Sequence, residues 1–306
     1  MNLVTRGKGL CIAAFRCFLW GVITVSSAHG VSSLTAERQS ARHESAALTE
    51  AWEYYDRGEI IEARAIFSAV ASNEKADEED LVQALFGLGW CGRYGRPRPD
   101  RSLAQQSFNL IVEQYPDNPA TPWALLELGA LEVRKERGGG ESARPHFKRV
   151  LSEYPDSAAR HEAVLRLAST YFYELDLPLA DRGAELLETH LREEPGNPLA
   201  VVMHFRLAQW YNEIHQETGR TLPHARHTAL EKMSDPFRWS IMYWQVAEIY
   251  RLRLGQPEKA IPFYVKIIVE CPQSVHIWSA KQRIETLTGQ PWAEVVAEHA
   301  EEQLFL

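Results

Sequence analysis

Long apolar runs, cysteine and positive charge are all scarce in this 306-residue chain, and each shortage excludes something. The longest apolar run, "CFLWGVITV" over 17–25, is far short of the roughly 20 residues a spanning helix needs. Extending it back to Leu10 would place Arg16 in lipid, which is costly. Of four cysteines, Cys11 and Cys17 lie in the first thirty residues. Cys91 and Cys271 remain, with no metal-ligand spacing around either, so they are expected to be buried single thiols. The formal charge of −8 gives no support to a basic nucleic-acid footprint. The chain also lacks G-x-S-x-G, H-E-x-x-H, the phosphate-binding G-x-x-x-x-G-K-[ST] and paired C-x-x-C. No catalytic residue, cofactor or metal is therefore expected, and the chain reads as a non-enzyme. What is present, 45% hydrophobic and 24% charged residues, is the composition of a folded protein.

Acidic residues are missing from the first thirty positions, where Arg6, Lys8 and Arg16 precede the apolar run. Small residues follow it, with Ser26 and Ala28, or Ala28 and Gly30, in the small-x-small pattern of a cleavage site. Residues 1–30 thus read as a cleaved secretory signal, with an uncleaved anchor as the alternative. Losing the three basic residues would take the charge from −8 to −11. No cysteine follows the run, which argues against lipid attachment. Residues 31–42 read as a short linker.

The remainder repeats itself. "EQYPDNPATPWALLELGALEV" (113–133) is echoed by "SEYPDSAARHEAVLRLASTYF" (152–172). Pairs of a hydrophobic and a small residue recur at Leu88-Gly89, Leu128-Gly129, Leu167-Ala168, Leu207-Ala208 and Val246-Ala247, the small residues 40, 39, 40 and 39 apart. Ala51 extends the series backward, and a tyrosine stands three residues on at Tyr54, Tyr171, Tyr211 and Tyr250. Positions i and i+3 share a helical face. After each such helix comes a second stripe at i, i+4, i+7: Ala63-Phe67-Val70, Ala104-Phe108-Ile111, Ala143-Phe147-Val150 and Ala260-Tyr264-Ile267. Proline closes the units at Pro116, Pro155, Pro195, Pro236 and Pro272, where Asp or the following Asn or Ser can cap the next helix. Small residues predict close helix approach with an aromatic filling the gap, and stacked hairpins share one core.

On these residues the chain resembles the tetratricopeptide repeat superfamily over roughly 43–290. The expected fold is all-α: a right-handed superhelical solenoid of about six hairpins with a C-terminal capping pair. Pro291 suits a helix start, and 291–306 reads as capping helix and tail. The period exceeds the family's 34 residues; the surplus is expected in loops at 92–101, 136–142 and 215–223. Leu187 and Ala229 replace the second-helix aromatic in the fourth and fifth units. The "YPDN" and "YPDS" joints are similar to bacterial envelope members, the barrel-assembly lipoprotein and the Tol–Pal-associated periplasmic repeat protein. The chain departs from the first in having no lipidation cysteine. It departs from the second in that 31–42 is too short for a trimerising coiled coil.

The resemblance implies a concave groove lined by first helices, which would bind a protein or peptide. The expected contacts are Trp52, Tyr55, Trp90, Arg93, Tyr94, Arg134, Phe172, Tyr173, Asn212 and Arg251. Aromatic burial would supply affinity, with Arg93, Arg134 and Arg251 selecting acidic or C-terminal groups. The alternative is a glycan or other anionic ligand on the arginine-rich loop 93–101, with Arg93, Arg96, Arg98 and Arg101. Either role fits the periplasm or envelope, with peripheral association possible. "RGGGES" (137–142) reads as a hairpin turn, and His204, His215, His224 and His227 as solvated.

Overall fold

The computed structural model describes residues 46–95, 98–133, 139–172, 174, 176–231 and 236–303, with side chains given for all but 139, 236–239 and 300–303. The segments read as signal and linker, and Arg96, Arg134 and Tyr173, lie outside them. No strand occurs among the described residues. The fold is all-α: the described residues form fourteen α-helices, in six hairpins and a terminal pair. The hairpins are α1 (Ala46–Asp56) with α2 (Ile60–Ala71), α3 (Glu78–Tyr94) with α4 (Arg101–Gln114), and α5 (Thr121–Val133) with α6 (Gly139–Glu153). Then come α7 (Ala159–Phe172) with α8 (Leu177–Glu193), α9 (Ala200–Trp210) with α10 (Thr218–Glu231), and α11 (Pro236–Glu248) with α12 (Ile261–Glu270). The last pair is α13 (Ile277–Thr288) and α14 (Trp292–Gln303).

One turn joins the units and is made four times by the same chemistry. Asn118, Ser157, Asn197 and Ser274 each donate their backbone N–H to the carbonyl three residues back. Each also accepts, on its side chain, the N–H two residues ahead, at 2.9 to 3.2 Å. Proline at the second position fixes φ for the turn, and the side-chain oxygen relieves a donor that the next helix leaves unpaired. Tyr154 Oη donates to Pro116 O at 2.8 Å and ties one joint to the one before it.

Inside the hairpins, close approach is enforced by size. A Cβ placed on Gly89 would lie 2.5 Å from the Phe108 ring, and one on Gly87 2.5 Å from Phe67; Gly129 stands in the same relation to Phe147. The fourth hairpin swaps these roles: Gly183, on the second helix, receives Phe172 from the first. The expected surplus loops are largely helical. Helix α3 runs on to Tyr94, α6 begins at Gly139 and α10 at Thr218, because continued backbone hydrogen bonding satisfies groups that a loop would leave to water. Of "RGGGES", residues 139–142 lie in the first turns of α6, and 137–138 lie outside the described residues.

The described residues form two compact units, one ending at Leu186 and one beginning at Leu187. The first is cored by aromatic and aliphatic side chains from Leu48 to Tyr171, the second by side chains from Phe205 to Val295. Cys91 belongs to the first core and Cys271 to the second; both are buried, and burial pushes Cys91 up to about 12. No described helix is long and apolar enough to cross a membrane.

Candidate functional site

In the N-terminal unit most of the anticipated groove residues are interior. Trp52 (7% exposed) and Trp90 (6%) stack edge-on at 5.8 Å, and Trp52 meets Phe67 at 4.8 Å. Tyr55 and Tyr94 are half-buried on the same cluster, 5.9 and 6.3 Å from the Trp90 ring. Burial raises the Tyr55 phenol well above its ordinary value. Phe172 is buried against Gly183. The correction has one physical reason: large rings on the first helices gain more by filling the space between adjacent hairpins than by facing water.

Arg93 is likewise withdrawn from any ligand. It is buried and paired with Glu127 of α5, which also meets Arg166 of α7 at 3.5 Å. Arg166 in turn donates to Glu162 at 2.8 Å and to Leu126 O at 3.0 Å. This is a buried chain of alternating charge, structural because each member is neutralised by the next. The arginine-rich loop keeps little for an anion: Arg101 donates to Leu131 O at 2.5 Å, and Arg98 stands exposed.

The C-terminal unit differs. A cleft of about 300 Å³ opens between α9, α11 and the start of α13. Its position follows from a backbone irregularity. Helix α9 ends in a π-turn over Tyr211–His215, and α11 in another over Ile249–Arg253. Each inserts an extra residue into a helix end, a distortion frequent at functional sites. The first carries Asn212 and Glu213 to the cleft, the second Ile249, Leu252 and Arg253.

The walls are apolar at Ile241 and Trp244, whose indole stacks on His276 at 4.9 Å and 8°. The floor is polar. Gln209 is 2% exposed, and its Oε1 has no hydrogen-bond partner; Gln245 Oε1 has none either. Glu213 makes no ion pair or hydrogen bond among the described residues, and burial raises its carboxyl to about 7. Glu248 is the opposite case. Burial pushes its carboxyl up, but hydrogen bonds from Arg251 (3.1 and 2.5 Å) and Tyr264 Oη (2.5 Å) bring it below its usual value. Arg251 is thus fully occupied by Glu248, whereas Asn212 lines the cleft. Trp244, Gln245, Arg253 and His276 were not anticipated. Gln209 and Glu213 shared the predicted first-helix stripe but were not singled out. The missed signal is a polar residue two places before the small one, seen at Glu127, Arg166, Arg206 and Gln245.

The histidines, expected in solvent, are half-buried. His204 Nδ1 lies 2.7 Å from His224 Nδ1, and its ring packs 3.9 Å from that of His227. Burial, then the neighbouring His227 and His224, take His204 down to about 3. Glu188, which accepts from Tyr211 Oη (2.9 Å) and Arg220 (3.0 and 3.1 Å), closes the group. His215 lies apart, 5.8 Å from the Trp210 ring.

The described residues form helical hairpins, with a polar cleft on the first helices of the C-terminal unit. No family model and no curated protein matches the chain. Among solved structures it is similar to a tetratricopeptide repeat protein from Parabacteroides merdae. Sequence identity is 17%, with 84% of this chain and 90% of that one covered, at a TM-score of 0.49.

Proposed function

We propose that the protein is a non-enzymatic scaffold that binds a protein or peptide in the cleft of its C-terminal unit. The observation that carries this is the coincidence of a preformed cavity with unpartnered polar groups at its floor: Gln209 and Gln245 Oε1 and the Glu213 carboxyl. Buried polar groups normally find partners, and a concave site with apolar walls and a few unspent polar groups is the usual form of a binding pocket. The export signature of residues 1–30 supports placing this scaffold in the periplasm or envelope. The N-terminal mass of the protein recovered from cells tests that part: a start after Ala28 or Gly30 is expected, and an intact Met1 would refute cleavage. For the site, a photo-crosslinking side chain at Leu252, 64% exposed at the cleft, should capture a partner. The same group at Ile61, 77% exposed in the N-terminal unit, should not. Equal capture from both would move the site elsewhere.

A further inference from the structure

Resting on the reading of this cleft as the ligand groove, we propose that its ligand is a basic peptide whose lysine or arginine head group is taken up by Gln209, Gln245 and Glu213. At the floor the buried atoms left unpaired are acceptors. Gln209 is almost wholly buried with Oε1 unpaired. Gln245 spends its amide nitrogen on Ala208 O at 3.4 Å and leaves Oε1 unpaired. An unpaired buried acceptor costs about 1–3 kcal/mol, and the group that repairs several at once is one that only donates. Ammonium brings three donors and guanidinium five, with no acceptor in either. The apolar wall of Trp244 and Ile241 suits the methylene stem that precedes such a head group.

An acidic ligand would need free cations, and Arg251 is held by Glu248. Arg253 also lines the cleft, but it is exposed, where water screens it. It is placed to meet a carbonyl or carboxylate further along the peptide.

Glu213 makes this selectivity depend on pH. Burial alone holds its carboxyl at about 7. The charged and titratable groups on the elements around it are His215 on its own turn, Glu248 and Arg253 from α11, His276 before α13, and Arg220 and His224 on α10. None of them contributes to the shift. Burial keeps His276 and His224 below the ordinary histidine value. A cation beside Glu213 favours its ionised form. Below pH 7, binding therefore expels a proton, and affinity rises by about tenfold between pH 6 and pH 8.

The test is selection of a random nine-residue peptide library on the full-length protein, on Glu213→Gln and on Trp244→Ala. Lysine- or arginine-rich winners are expected on the wild type. A synthesised winner should bind about tenfold more tightly at pH 8 than at pH 6, with that slope abolished in Glu213→Gln. Winners that are acidic or uncharged, yet lost in Trp244→Ala, would overturn the cation assignment while leaving the groove in place. No winners, or winners indifferent to Trp244→Ala, would overturn the groove and this inference with it.

Discussion

The small position of the repeat is glycine in the second and third hairpins, at Gly89 and Gly129, and alanine elsewhere, at Ala51 and Ala168 in the N-terminal unit and at Ala208 and Ala247 in the C-terminal one. Phe108 and Phe147 press onto the glycines, whereas the fifth hairpin has Ala229 in the aromatic's place and an alanine at Ala208. Charge is what divides the two units. In the N-terminal unit the buried carboxylates Glu127 and Glu162 are spent on Arg93 and Arg166. In the C-terminal unit Glu248 is spent, but Glu213 is not. Both units keep buried polar atoms without a hydrogen-bond partner, Gln83 Oε1 and Trp90 Nε1 in the first and Gln209 and Gln245 Oε1 in the second, but those of the second line the cleft.

The largest effect that would break this contrast is expected at Glu127. Glu127→Ala takes the carboxylate from the buried Arg93, while Arg166 keeps Glu162, and should cost about 3–5 kcal/mol, read by urea denaturation. A loss below about 1 kcal/mol would mean that the charge chain is solvated. Next comes the packing difference. Gly89→Ala drives a methyl into the Phe108 ring and should cost about 1–3 kcal/mol, although alanine is the better helix former. The reverse change, Ala208→Gly, should cost about 1 kcal/mol from helix propensity; equal losses would remove the steric account.

Glu213→Gln sharpens the contrast in the other direction. The folded carboxyl sits at about 7, above its unfolded value near 4.3. The folded state therefore holds the extra proton between those values, and stability falls as pH rises toward and past 7. Removing the charge should thus stabilise the protein by about 1–2 kcal/mol at pH 8 and do little at pH 4. Melting curves at the two pH values decide this, and a destabilised variant at pH 8 would show that Glu213 is satisfied. The smallest effect belongs to the surface: Arg149→Ala, which breaks the exposed pair with Glu153 at 2.9 Å, should cost less than about 0.5 kcal/mol. A larger loss would show that this pair braces α6.

The sequence by itself determined the hairpins, their order and their joints. A 39- or 40-residue spacing of small residues and the Pro-x-Asn/Ser turn are local chemistry, legible because a helix face and a turn are built from neighbours in the chain. Even the burial of Cys91 and Cys271 was expected from the sequence. Tertiary structure alone decided which polar and aromatic residues were left to act. Trp52, Trp90 and Asn212 all stand on first helices, yet the two tryptophans bury each other while Asn212 meets a cavity. Arg93 reads as a ligand-binding arginine until Glu127 arrives from the next repeat to neutralise it, whereas Glu248, the partner of Arg251, stands only three residues before it in the chain. The two π-turns have no marked residue to announce them, and they are what aim Glu213 and Leu252 into the cleft. A side chain's availability depends on which partners the fold brings within a few ångströms, and those partners come from a face or a repeat that local periodicity does not join to it.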